Sequence, residues 1–210
     1  MSDLGEKVNK VITKISERFQ AAKGDDATTS TSNAEKEYGS EKEAEEAFVD
    51  RSELLLSGRG WSQLSGTENA SFFVYNFDGT EAKDDRLLVG RYLKIDLPGP
   101  LPMYWVKIEK VDQSGDLLEV WVRPSSDPTA NPVNSAVTAH FFRRSTVNIL
   151  SLTRKENKLI AQQKGIAEIA NNEEPEAGGQ ATINTGVAAG GMAGVAQWQW
   201  NRFTNNLAGK

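Results

Sequence analysis

Side chains with the widest chemical range are scarce in this sequence. It has 210 residues, a single histidine (His140) and no cysteine. Thiol nucleophiles, disulfides and Cys/His zinc sites therefore cannot be assembled within one chain, nor can a metal site that needs two imidazoles. A serine relay would have to run through His140. That residue lies in AVTAHFF (136–142), where period two places it on the side of Ala136, Thr138 and Phe142. No Asp, Glu or Ser stands at a spacing that would orient it. Arg143 and Arg144 follow it, and their charge disfavours the imidazolium. The expectation for His140 is a hydrogen-bonded structural residue or a binding contact rather than a general base. Asp96 precedes Pro98-Gly99-Pro100 at a strand end, a place where ligands commonly bind, and turn capping accounts for it equally well. With 29 acidic residues, no pair of carboxylates rises above the background. The glycines from Gly186 to Gly194 lack the GxGxxG spacing and the Lys-Ser/Thr of a phosphate loop. No metal and no cofactor are expected.

A second set of candidates is aromatic and charged. YWVKIE (104–109) and LEVWVR (118–123) flank DQSGD (112–116), which reads as a β-hairpin. Period two gives it a core face of Tyr104, Val106, Ile108, Leu118, Val120 and Val122. The other face carries Trp105, Lys107 and Glu109 against Glu119, Trp121 and Arg123. Depending on register, Trp105 meets Trp121 or Arg123, as an aromatic pair or a cation–π contact. Either this face is a second packed layer, or Trp105, Lys107, Trp121 and Arg123 form a binding surface.

A third set is helical. In residues 1–23, Val8, Ile12, Ile15 and Phe19 recur at steps of four and three, an amphipathic stripe with a basic opposite face. Five basic residues there (Lys7, Lys10, Lys14, Arg18, Lys23) stand against three acidic ones (Asp3, Glu6, Glu17). Such a helix can fold back on its own domain, pair with a second copy, dock in a partner or lie on a membrane. Its modest charge excess argues against the membrane. Residues 24–53 are the reverse, with ten acidic residues against three basic ones.

The elements that must position these residues follow from the change of period along the chain. Residues 24–40 offer little to bury and read as a flexible linker. Residues 40–56 read as a helix with Ser40 and Glu43 in capping-box spacing. From residue 61, with Trp61 in a loop, the pattern becomes alternating. Strands are expected at 71–77, closed by an Asp78-Gly79 turn, and at 87–97, 136–142 and 146–154. Residues 158–169 read as strand in preference to helix, because Gly165 costs a helix roughly 1 kcal/mol. A linker at 171–180 leads to a weak Ala/Gly-rich helix with Trp200, Phe203 and Leu207 on one side. The expected fold is α+β: a mostly antiparallel sheet or small β-barrel with packed helices. It has four parts, namely a helix (1–23), a linker (24–40), a β-rich domain with a leading helix (41–170), and a linker with a C-terminal helix (171–210).

No stretch reaches the roughly 18 apolar residues that cross a bilayer as a helix, and the N-terminus lacks an unbroken apolar run of the secretory kind. A cytoplasmic location is the expectation. The net charge of −5 argues against a phosphate-binding role. So does the near balance between residues 86 and 123, six basic against five acidic. The reading that results is a non-enzymatic binding or assembly module. Its tools are the N-terminal helix, for a protein partner or a second copy, and the aromatic and charged sheet face. The alternative is a small-molecule binder, or a carboxylate-dependent hydrolase, with its site at the mouth of the β-domain.

Overall fold

The computed structural model describes residues 28–66, 70–97, 103–130, 146–168 and 193–210. In chain order these form β1 (Thr28–Glu37), α1 (Glu41–Leu55), α2 (Gly58–Ser65), β2 (Ser71–Tyr75), β3 (Tyr92–Asp96), β4 (Tyr104–Ser114), β5 (Leu117–Pro124), β6 (Val147–Lys155), β7 (Lys158–Glu168) and α3 (Ala193–Ala208). The seven strands make one antiparallel sheet in the order β1-β7-β6-β5-β4-β3-β2. The fold is α+β, as expected. The N-terminal stripe, the 136–142 segment with His140 and the 171–180 linker lie outside the described residues.

The sheet is open, so the barrel form of the expectation is not adopted. The β2 edge shows why. The Phe72 N–H donates to Ser62 Oγ at 2.9 Å, and the Val74 carbonyl accepts from the Ala82 N–H at 2.8 Å. Tyr75 makes a bridge to Glu81. The outer groups of β2 are thus taken by its neighbours in sequence, which blocks further strand pairing.

β1 corrects the linker expectation for residues 28–37. Its inward positions hold Ser32 and Ala34, each 5% exposed or less. Small side chains fit where α3 packs on β1 and β7, yet they leave no apolar alternation to read. Residues 158–168 form a strand, hairpinned to β6 through Glu156 and Asn157, as favoured from the sequence. The β4–β5 turn is tighter than expected: pairing persists to Ser114 and Leu117, leaving two residues at the bend.

Because β1 and β2 are opposite edges, α1 and α2 must carry the chain across one face of the sheet. α1 opens on the expected box. Ser40 Oγ accepts from the Glu43 N–H, and the Glu43 carboxylate accepts from the Gly39 N–H. Phe48 and Leu55 face the sheet, joined there by Phe203 and Leu207 of α3. The strands contribute Phe72, Val74, Leu93, Ile108, Leu118, Val120, Leu150, Leu152, Leu159 and Ala161 to the same core.

Trp61 is the main correction to the sequence reading. It lies within α2, 1% exposed, and its indole N–H donates to the Leu55 carbonyl at 2.9 Å. Its ring meets Phe72 and Phe203 edge-on, at 5.5 and 5.4 Å between centroids. Two glycines in GRGW suggest a loop, but Gly60 is needed for contact. A Cβ there would lie 2.0 Å from the Leu54 carbonyl oxygen. Gly60→Ala should therefore destabilise by at least about 3 kcal/mol, since the obstacle is backbone. Gly115→Ala meets nothing within 4 Å and has only a left-handed φ of +55° to contend with, costing roughly 1–2 kcal/mol. Urea unfolding of the two variants checks this ranking.

Candidate functional site

The second face of the sheet carries the aromatic and charged candidates. Three cross-strand pairs repeat one motif there. Lys94 on β3 stands over the Phe73 ring of β2, Lys107 on β4 over Tyr92 of β3, and Lys110 on β4 over Trp121 of β5. The distances from Nζ to the ring centroid are 5.7, 6.0 and 5.2 Å. Direct cross-strand neighbours are the pairs a sheet brings closest, and a lysine stem can lie along the ring while its ammonium faces the π cloud.

The charges are unevenly matched. Lys110 Nζ is 2.7 Å from Asp112 and 3.8 Å from Glu119. Glu119 also accepts from the Trp121 indole N–H at 3.2 Å and is 4% exposed. Arg123 Nε lies 3.9 Å from Glu109. Lys94 and Lys107 have no carboxylate partner among the described residues. Phe73, under Lys94, is 39% exposed.

The register corrects the expected pairing of the tryptophans. A bulge at Glu109 separates the pairs Ile108↔Val122 and Lys110↔Trp121. One extra residue on β4 shifts its alternation, so Trp121 faces Lys110, and Trp105 meets neither Trp121 nor Arg123. Trp105 instead pairs with Lys94 and stacks edge-on to Tyr75 at 4.8 Å. It is 4% exposed. Residues 125–130 run from β5 to the turn that follows β2: the Ser125 N–H donates to the Trp105 carbonyl, and the Pro128 carbonyl lies 2.5 Å from where a Cβ on Gly79 would stand. Farther along this face, Val147, Ile149 and Ile166 are buried at 1–2% exposure without belonging to the main core.

Of the other candidates, Lys107 and Arg123 sit opposite each other in the ladder, with Tyr92 next in the row. Asp96 ends β3 opposite Ser71, half-buried and apart from that group. His140, Val8, Ile12, Ile15 and Phe19 lie outside the described residues. Phe73, Tyr92, Lys94 and Lys110 were not singled out from the sequence. Alternation places the first three on one face each, but only the strand order makes them neighbours.

The helix-covered face holds a group that the sequence did not flag. Its rows are apolar in the middle and turn polar over β6, β7 and β1: Val122–Asn148–Gly165–Ser30, then Val120–Leu150–Gln163–Ser32. Gln163 is fully buried, and its Nε2 donates to Asn148 Oδ1 at 2.9 Å. Its Oε1 has no hydrogen-bond partner among the described residues. Tyr104 is on this face at the β3–β4 end, 4% exposed, and burial pushes its hydroxyl well above the usual tyrosine range.

Comparison with known proteins identifies the fold alone. The sequence matches no protein-family model and no curated protein. Among solved structures, the hypothetical protein jhp0584 from Helicobacter pylori superposes with a TM-score of 0.59 at 8% identity, over 90% of each chain. Protein Ms6760 from Mycobacterium smegmatis reaches 0.44 at 15% identity, over 88% of this chain and 94% of its own. A truncated norcoclaurine synthase from Thalictrum flavum reaches 0.40 at 13% identity, over 90% and 99%.

Two measurements check the geometry. Trp105→Ala should cost about 3 kcal/mol or more, as for a buried tryptophan, and the half-buried Trp121→Ala clearly less; equal losses would contradict the different burial of the two rings. The Tyr104 hydroxyl ionises later in the folded chain than at its ordinary value of 10.0. Its contribution to stability is then present below pH 10 and lost as pH rises beyond it. Tyr104→Phe should flatten the decline of unfolding free energy above about pH 10, followed by urea unfolding over roughly pH 9 to 11, on the order of one pH unit either side of that value.

Proposed function

We propose that the chain is a non-enzymatic binding module that offers the second face of its sheet to an acidic protein segment. The observation that carries this reading is the pair of lysines, Lys94 and Lys107, held over the Phe73 and Tyr92 rings with no carboxylate partner among the described residues. A carboxylate-bearing segment laid across β2, β3 and β4 gains charge-assisted hydrogen bonds from both ammonium groups and apolar contact with Phe73. Most of the neighbouring charge is already balanced: Lys110 by Asp112 and Glu119, Arg123 by Glu109. Such balance favours a protein over nucleic acid, which requires a row of free cations. The N-terminal stripe of Val8, Ile12, Ile15 and Phe19 belongs to the same proposal as the element that recruits a partner or a second copy.

Titration of the full chain with hexaglutamate, followed by tryptophan fluorescence and by NMR, tests the face. A saturable change that weakens with salt is expected, and Lys94→Glu combined with Lys107→Glu should abolish it while leaving the melting temperature within a few degrees. Equal or stronger binding of a ten-residue oligothymidine, or no saturable binding of either probe, would overturn the proposal. For the N-terminal stripe, Ile12→Asp with Phe19→Asp should abolish any self-association seen by light scattering of the full chain.

A further inference from the structure

The corner of the sheet around Gln163 has three features that packing alone does not require. The first is a fully buried amide whose oxygen has no partner among the described residues. Leaving a buried acceptor unmet costs roughly 1–3 kcal/mol, whereas the neighbouring inward positions of β6 and β7 are filled by Leu150, Leu152, Leu159 and Ala161. The second is Gly165, in the interior of β7 between Asn148 and Ser30. Glycine weakens a strand and marks places where another group comes close to the backbone. The third is the shift of the β1–β7 register between Thr28 and Ser30, in the same place; irregular ladders of this kind collect beside sites.

Exposure and charge give the corner a direction and a chemistry. Asn148 and Ser30 are half-buried, while Gln163 and Ser32, one row deeper, are buried. Neither row carries a charged side chain. The Gln163 amide is fixed by donation to Asn148 Oδ1 at 2.9 Å, with Ser30 Oγ at 3.5 Å. The group left over is therefore an acceptor in an uncharged, largely apolar setting. An anion there would have to give up its hydration with no cation from these two rows to compensate. A neutral molecule with an O–H or N–H donor meets the acceptor and loses little.

We infer that this corner binds an uncharged small molecule, which donates a hydrogen bond from an O–H or N–H group to Gln163 Oε1 and lays its apolar part against the inner face of the sheet. The site is distinct from the lysine and aromatic face, which lies on the other side of the same strands.

The test uses four probes of similar size: indole and benzyl alcohol as donors, benzoate as an anion, and toluene with no polar group. Each is titrated into the isotope-labelled full chain, following the Gln163 side-chain amide in NMR spectra; that signal is assigned by its loss in Gln163→Leu. Indole and benzyl alcohol should shift it saturably, and Gln163→Leu should weaken their binding about tenfold, one hydrogen bond's worth. Benzoate shifting the amide as strongly as indole would overturn the uncharged-donor assignment while leaving the location intact. Equal binding of all four probes to both chains would overturn the role of Gln163. An amide that no probe moves, with a strong exchange-independent contact to water, would assign the acceptor to a buried water and overturn the site. Gln163→Leu replaces an amide whose oxygen has no partner among the described residues with an apolar side chain of similar volume; should that variant fail to fold, the signal is assigned in the wild-type chain through its connection to the Gln163 backbone, and the wild-type titration remains decisive.

Discussion

An open sheet leaves its two edges far apart, and Trp61 is what ties them. Its indole N–H is held by the Leu55 carbonyl at the end of α1. One side of its ring abuts Phe72 on the β2 edge, and another abuts Phe203 on α3, the helix that lies over β1 and β7 at the opposite edge. A single side chain thus touches a helix end, one sheet edge and the cover of the other. Its position depends on the α1–α2 junction approaching itself so closely that Gly60 has no room for a Cβ. A barrel would close by strand pairing; here closure is made by side chains, and its tolerance is the width of one methyl group.

The rest of the molecule follows from which side of the sheet those helices occupy. All three described helices meet the face of Leu93, Val120 and Leu150; on the opposite face the β2–β5 part carries residues that combine an apolar body with a charged tip, while Val147, Ile149 and Ile166 are buried farther along. The lysine–ring pairs are a physical answer to a sheet face lacking a described helix: the stem covers the ring and the ammonium meets water. The Glu109 bulge sets the alignment. Were Glu109 paired in regular alternation instead of bulged, every residue after it on β4 would change sides. Val111 would then turn away from the core, and Lys110 would leave the side of Trp121.

The parts of this arrangement that were legible in the sequence are those written by period. The hairpin core of Ile108, Leu118, Val120 and Val122, the α1 capping box and the Phe203–Leu207 side of α3 follow from spacing alone, because their side chains differ sharply from the residues between them. β1 was illegible for the opposite reason. Its inward Ser32 and Ala34 are small enough for a helix to approach, and its outward residues are polar, so no contrast marks the two sides. The Trp105 pairing is not legible in the sequence because a bulge is one residue of backbone irregularity with no side-chain signature. The Gln163 corner could not be found in one strand, since it is made by β6, β7 and β1, brought together over more than 100 residues of sequence.

The two faces take successive residues of β6 in turn, and this bears on whether they can move apart. Asn148 and Leu150 point to the helix side, where Asn148 holds the Gln163 amide. Ile149 between them points to the other side, next to Trp121. Ladder hydrogen bonds on both sides of β6 resist independent movement of a residue and its neighbour. A ladder-bonded central strand therefore keeps the faces in fixed relation, and by itself it would not couple the two proposed sites, because coupling requires two discrete arrangements with different affinities. The edge pair β1–β7 differs, with its register shift beside Gly165 and its outer partner limited to one strand. If occupancy on the helix side is felt elsewhere, the irregular edge is where it has room to act, and the lysine face at the far edge is the part most insulated from it.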